Sequence, residues 1–498
     1  MATIGFGPWM PDQPDFNNPG ITEALNVLPR TQESYGPLGA LSATTDALTN
    51  RPQGAGAFRD SDGNVATFAA DETDLFKLSG SSWGNVSSSA GAYTVAAEES
   101  VRFIQYGNRV MALLGLVDPI QSYVLGSSSA FATLAAAAPR ARHGAVIRNH
   151  VMVGNTYDSG DGNVPNRVWW NAIDDPTSWP TIGSAAAAAA QSDYQDLPSG
   201  GWVQAIIGAI GGVDGAVFME KAIYRVQYEG SPTIYGFYEV ERDRGTPAPY
   251  SVVNVGSIAF YLAEDGFYAF NGTASQPIGA QRVDKTFFAD LDQNYYHRIY
   301  GAADPINKMV FWIYPGTGNT GGRPNKGLVY NWELDRWSHF EQDADILFRD
   351  LTVSSTLEDL DAFGTMETLE FSLDSRVWTG GKLILSAFDS DKKLARFAGA
   401  NLAATLDTME LGGGDRVMVT AVRPQSDSSN ANMTVALRYR QTPGGALTTT
   451  SAASLDDDGK AHFRVNGRYM RGRLVIASGA SWTHAQGVTA DTAFGGAR

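Results

Sequence analysis

With 498 residues the chain can hold about three average domains, and its 54 aromatic residues are ample for a buried core. The absence of cysteine excludes disulfides, thiolate metal sites and cysteine catalysis. The net charge of −16 is uneven: residues 411–498 carry ten Arg or Lys against six Asp, a balance of +4 that leaves −20 for residues 1–410. An acidic body discourages broad adhesion to nucleic acid, while a basic end can grip an acidic partner.

The N-terminus has no basic region followed by an apolar stretch, so no signal peptide is expected. No apolar run approaches the roughly 18 residues needed to span a bilayer, and stable membrane insertion is not expected. Pro8, Pro11, Pro14 and Pro19 prevent regular helix and central strand, so residues 1–40 read as an extended arm. Trp9 and Phe16 are its large anchors, and they are expected to dock on another subunit. Docking on the arm's own body is the plainer alternative.

From residue 41 to 410 strand signals recur in units. The first is a hairpin, Ala57–Asp60 and Val65–Ala69 around Asp62-Gly63, continuing through Thr73–Trp83. The second runs from Val101–Ile104 through Val110–Leu116 to Ser122–Leu125. The third holds Ala145–Ile147, His150–Gly154 and Arg167–Trp170. The fourth holds Val203–Ile207, Ala216–Met219 and Ile223–Tyr228. The fifth holds Ser251–Val255, Ile258–Leu262 and Gly266–Asn271. The sixth holds Lys308–Tyr314, Gly327–Asn331 and Trp337–Glu341. The seventh is weaker: Arg376–Trp378, Lys382–Ala387 and Leu394–Ala398. Two alanine-rich stretches, 135–138 and 185–190, read as loops with at most one helical turn.

One aromatic pattern occurs twice at the same spacing. Phe76 precedes Trp83 by seven residues, and Tyr330 precedes Trp337 by seven. Each reads as a strand, a tight polar turn and a strand opening on Trp, with the rings buried between neighbouring sheets. Hairpin units repeating every roughly 40–50 residues indicate a β-propeller, here of about seven blades, within a range of six to eight. After Gly412-Gly413-Gly414 the texture changes. Arg416–Val422, Thr434–Arg440, Ala461–Val465, Tyr469–Ile476 and Trp482–Val488 read as the strands of a small β-sandwich over residues 411–498.

The sequence carries no recognisable catalytic motif. The six histidines show no metal-type spacing, and neither a Gly-x-Ser-x-Gly elbow nor a phosphate-binding glycine loop is present. Asp158–Asn163 has the oxygens and glycines of a calcium loop but not the EF-hand spacing, and Asp456–Gly459 is an acidic turn. Ser61-Asp62-Gly63 lacks the rest of a sialidase box. No catalytic residue, cofactor or metal is expected. The sharpest polar feature is Arg464, Arg468, Arg471 and Arg473 beside Tyr469. These arginines are expected to contact the DNA backbone or an acidic neighbour, or simply to line a solvated face.

Several segments together resemble one family. They are Asp15-Phe16 and Pro19-Gly20 leading to Ala24–Pro29, Tyr35–Leu38, and the first unit with Leu75-Phe76 and Trp83. Then come Val151–Asn155, Arg167–Asn171, Asp174–Trp179, Phe260–Asn271, Gly467–Tyr469 and Trp482–His484. In this order they resemble the tail hub or nozzle proteins of short-tailed bacteriophages, including the packaged-DNA stabilisation proteins. The resemblance implies a β-propeller virion component, with no catalytic residue to carry over. It implies assembly in the host cytoplasm as a ring, commonly of six copies, below the portal and adaptor. The partners it implies are further copies of the chain, the tail adaptor, tail fibres, and DNA passing transiently. Such a ring closes or extends the tail tube and retains DNA until ejection. Two alternatives are a receptor-binding adhesin at the tail tip and a carbohydrate-active propeller enzyme.

Overall fold

The computed structural model describes residues 2–15, 18–352, 372 and 381–494. Phe16 and the expected strand Arg376–Trp378 lie outside the described residues. The chain is all-β. Among the described residues the only α-helices are Ala185–Ala190 and Asp284–Asp290. The first is the six-alanine run, which the sequence reads as a loop. It gains a start because the Ser184 hydroxyl accepts from the Ala187 N–H, and a stop because Gln191 turns left-handed.

Six free-standing four-stranded antiparallel sheets are arranged as propeller blades. Five are simple meanders, spanning 54–85, 102–133, 140–196, 203–242 and 253–277. The sixth is built from both ends of the propeller. Ala344–Leu351, Leu383–Asp389 and Lys393–Asn401 supply three strands, and Gly39–Ala47 returns from the N-terminal side to pair with Lys393–Asn401 as the outer strand. This pairing closes the ring non-covalently, with the N-terminal strand Gly39–Ala47 completing the last blade as its outer strand.

Aromatic side chains fill the spaces between sheets. Phe68 packs edge-on against Tyr123 and Phe131 at 5.1 and 5.4 Å. Trp170 meets Tyr235 at 5.3 Å, and Phe218 meets Tyr261 at 5.1 Å. Of the four rings singled out by spacing, Phe76, Tyr330 and Trp337 are buried, but Trp83 is only partly so. The two hairpins are not equivalent. Tyr330 lies directly opposite Trp337, and their rings are 4.7 Å apart. Trp83 lies opposite Leu78 instead, because its turn is the two-residue Gly80-Ser81.

A further meander, Tyr300–Asp304, Met309–Tyr314, Lys326–Asn331 and Arg336–Glu341, does not end at its fourth strand. Leu25 of the short strand Ala24–Leu25 pairs in parallel with His339, and the same strand pairs antiparallel with Ala404–Asp407. From there the sheet passes into Ala461–Ile476, Leu411–Ser426 and Ala485–Phe494. Where the sequence suggests two strands at 461–476, the structure has one. Its first half pairs with Val417–Val422 and its second with Met433–Arg440, so it changes partners near Gly467 without breaking. Trp482 is buried in the loop before the last strand rather than within it.

The described part of the N-terminal arm is extended, as proline dictates, and lies on its own chain. Ala2–Gly5 pairs with the last strand. Trp9 is buried, stacked on His339 at 4.6 Å, and its indole N–H donates to the Thr22 carbonyl. Asp12 accepts the N–H groups of Lys285 and Thr286 at 2.8 Å each, at the start of helix Asp284–Asp290. Arg336 lies over the buried Tyr35 ring at 4.4 Å and donates to the carbonyls of Phe6, Gly7 and Thr31.

Candidate functional site: the propeller axis

The first strand of each blade lies nearest the axis, so residues at the starts of these strands can meet although far apart in sequence. Tyr250 is delivered by the single turn Pro249–Ser251. Ser251 fixes that turn: its hydroxyl donates to the Ala248 carbonyl at 2.7 Å and accepts from the Leu262 N–H at 3.2 Å. The Tyr250 hydroxyl accepts the Ser100 N–H at 2.7 Å, and the Ser100 hydroxyl bonds the Tyr300 hydroxyl at 2.7 Å. The two tyrosine rings stack with centroids 5.4 Å apart and planes 16° from parallel. Arg102 lies over the Tyr250 ring at 4.6 Å and donates to the Pro249 carbonyl at 2.8 Å. Three segments, 150 and 200 residues apart, are thus tied together by two short hydrogen bonds and a ring stack.

Tyr250 divides two cavities. The upper one, of about 280 Å³, is bordered by Glu98, Glu99, Arg142, His143, Asn155 and Trp202 among others. Arg142 pairs with Glu99 at 2.8 Å. Burial pushes the Glu99 carboxyl up, against the pull of Arg142. Burial also drives the His143 imidazole well below its usual range, reinforced by Arg102 and Arg142, so the ring is neutral. Its Nδ1 has no hydrogen-bond partner. The lower cavity, of about 220 Å³, is bordered by Ser100, Arg102, Asn254, Tyr300 and Arg349. Burial pushes the Tyr250 hydroxyl up to about 12, so it stays protonated near neutrality despite Arg102.

The acidic loop at 158–163 is closed from within. Asp158 accepts the N–H groups of Gly160 and Asp161, and the Arg167 guanidinium meets Asp158, Asp161 and Asp196 at 3.5, 2.6 and 2.6 Å. A guanidinium stands where these oxygens converge. The other acidic turn is similarly engaged, with Asp456 held by His462 at 2.7 Å. Among the described residues no three His, Asp or Glu side chains are placed so that they could hold a metal ion.

The four C-terminal arginines divide. Arg464 and Arg468 are exposed. Arg471, with a side chain 3 % exposed, pairs with Asp15 at 2.9 Å and with buried Glu410 at 3.4 Å; Arg440 also holds Glu410. Arg473 forks onto Asp407 through Nε at 2.6 Å and Nη2 at 2.9 Å, and Arg438 shares that carboxylate at 2.7 Å. Arg471 and Arg473 therefore spend their charge at the seam between the arm, the 404–410 segment and the last strands. Sequence reasoning missed their partners, and it missed Ser100, Tyr250 and Tyr300 entirely, because neither set has a local spacing.

No family model matches the chain, and no curated protein matches it. Among solved structures, the extracellular domain of BT4673 from B. thetaiotaomicron is similar over 88% of this chain and 48% of its own, at 10% identity and TM-score 0.39. The chain thus spans about half the length of that relative. Apo AztD from Citrobacter koseri is similar over 62% of this chain and 95% of its own, at 12% identity and TM-score 0.31. At these scores nothing about ligand or role passes to this chain.

Proposed function

We propose that this chain is a structural subunit of a short-tailed phage's tail hub, one copy of a ring, commonly six, that extends the DNA conduit and retains DNA until ejection. The observation that carries the reading is where the resembling segments fall. Ala24–Pro29 supplies the strand joining the Arg336–Glu341 sheet to the C-terminal strands, and Tyr35 is clamped under Arg336. Asn171 is fully buried and accepts the Val151 N–H, tying two further resembling segments together. These segments are seams of one rigid construction, as suits a part that transmits load and catalyses nothing. The tyrosine pair crossing the axis implies that DNA passes between copies and not through one propeller.

In this reading the propeller has seven blades. The meander spanning 300–341 supplies the additional blade, because its first strand packs between those of the neighbouring sheets, Val253–Asn254 and Ala344–Leu351. The C-terminal strands form a β-sandwich whose two layers share the long strand Ala461–Ile476. Arg464 and Arg468 are the groups left to meet an adaptor or a phosphate; with Trp9 buried in its own chain, Phe16 is the arm's remaining anchor for another copy. Electron microscopy of the purified protein tests the reading. Six-fold rings support it, and particles that stay single at high concentration oppose it.

A second reading, a receptor-binding or carbohydrate-active propeller, draws on the upper cavity. There Trp202 is 47 % exposed beside Glu99 and Asn155, a ring and polar groups suited to a sugar face. Binding of the isolated protein to host-cell glycans would favour it.

A further inference from the structure

In this acidic chain arginines commonly face carboxylates, as Arg167, Arg282, Arg440 and Arg473 do. Arg102 and Arg349 have no carboxylate partner among the described residues, yet both border the lower axial cavity. They come from different first strands, Arg102–Tyr106 and Ala344–Leu351. Each spends one N–H on a carbonyl, Arg102 on Pro249 at 2.8 Å and Arg349 on Asn254 at 3.2 Å. A guanidinium has five such donors, so most of their capacity is unspent. Burial lowers the pKa of the half-buried Arg102 below the usual arginine range; Arg349 shifts in the same direction although its side chain reaches the surface. Ser100 and Tyr300 border the same space, whose volume of about 220 Å³ can hold a small ion. Tyr250 lines both this cavity and the upper one.

We propose that the lower axial cavity binds one small tetrahedral oxyanion of the phosphate class, gripped by Arg102 and Arg349. Planar forks of N–H donors match the oxygens of such an ion, and a single bound charge neutralises two cations that the fold leaves unpaired. The ion rigidifies the axis by linking the 102–133 meander to the sheet that closes the ring. The proposal stands apart from the tail-hub reading and does not depend on it. Two sources supply the same chemistry, free phosphate and the phosphate of a mononucleotide.

The test is thermal unfolding of the full chain in increasing inorganic phosphate, against chloride at matched ionic strength. A ligand bound only by the folded state raises Tm in a saturable way. The wild type is expected to show this rise. Arg102→Gln and Arg349→Gln are each expected to weaken the apparent affinity at least roughly tenfold, the usual consequence of losing a charge-assisted hydrogen bond. Arg242→Gln, whose side chain is largely exposed on the strand Ile234–Arg242 and away from this cavity, is expected to respond as the wild type does. A parallel titration with dAMP separates the sources: a rise matching or exceeding that of phosphate assigns the site to a nucleotide, and a rise with phosphate alone assigns it to the free ion. No saturable rise with either probe, or a rise unchanged in both arginine variants, overturns the proposal. Should Arg102→Gln fail to fold, Arg349→Gln decides, because its side chain is the more exposed of the two.

Discussion

Trp337 and Trp83 hold the same place in a repeated sequence pattern but very different places in the structure, and their removal should cost very different amounts. Trp337 is 1 % exposed. Its ring lies 4.7 Å from Tyr330, 5.3 Å from Phe267 and 5.8 Å from Trp312, and its indole N–H donates to the Ile278 carbonyl at 3.1 Å. Truncating a buried Trp to Ala costs about 3–5 kcal/mol, and leaving the partly buried Ile278 carbonyl unpaired adds about 1 kcal/mol. Trp337→Ala should therefore lose roughly 4–6 kcal/mol. Trp337→Phe keeps most of the apolar contact and should lose about half of that or less. Trp83 is partly exposed, touches Phe388 at 5.6 Å and donates to the Thr45 hydroxyl, so Trp83→Ala should lose only about 1–2 kcal/mol. Urea unfolding followed by far-UV circular dichroism measures the difference, provided the variants share one m-value. Equal losses at the two positions would refute the argument that turn length, and not spacing, sets the burial of the second ring.

Three further outcomes follow from the structure. Burial, opposed by the Phe267 N–H and reinforced by Asp12 and Asp265, raises the Asp284 carboxyl to about 7. Between pH ~4 and 7 the folded state then keeps a proton that the unfolded state has lost, so stability falls as pH rises through that window and levels off above it. Asp284→Asn should flatten this slope and gain up to the order of 4 kcal/mol at pH 8; an unchanged pH profile of Tm would contradict it. Glu410→Gln leaves Arg440 and Arg471 without their buried counter-ion and should cost about 3–5 kcal/mol, read by the denaturation midpoint. Deleting residues 1–20 removes buried Phe6 and Trp9 and the strand paired with Ala485–Phe494. It should raise hydrogen exchange in the last strand while the 102–133 meander stays protected; uniform protection throughout would show that the arm is dispensable.

The propeller was legible because its signals are local. A turn such as Asp62-Gly63 occurs at a hairpin end, and runs such as Val151–Gly154 read directly as strands. Equal spacing of Phe76–Trp83 and Tyr330–Trp337 misled, because register depends on loop length: Gly80-Ser81 puts Leu78 opposite Trp83, whereas the longer Trp332–Asp335 turn puts Tyr330 opposite Trp337. The basic excess of the C-terminal region was countable, but half of the arginine cluster is neutralised by Asp15, Glu23, Asp407 and Glu410, all outside residues 411–498. The closure of the axis had no sequence signal, since Ser100, Tyr250 and Tyr300 meet only once the blades are in place.

The central claim is that this chain is one copy of a ring that carries DNA between subunits. Cryo-electron microscopy of the purified protein, at concentrations where a ring would form, tests it most directly. The account predicts six-fold particles with an opening on the shared axis wide enough for a duplex, each propeller closed at Tyr250 and Tyr300. Single propellers at every concentration, or a duplex-wide channel through one propeller's own axis, would contradict it.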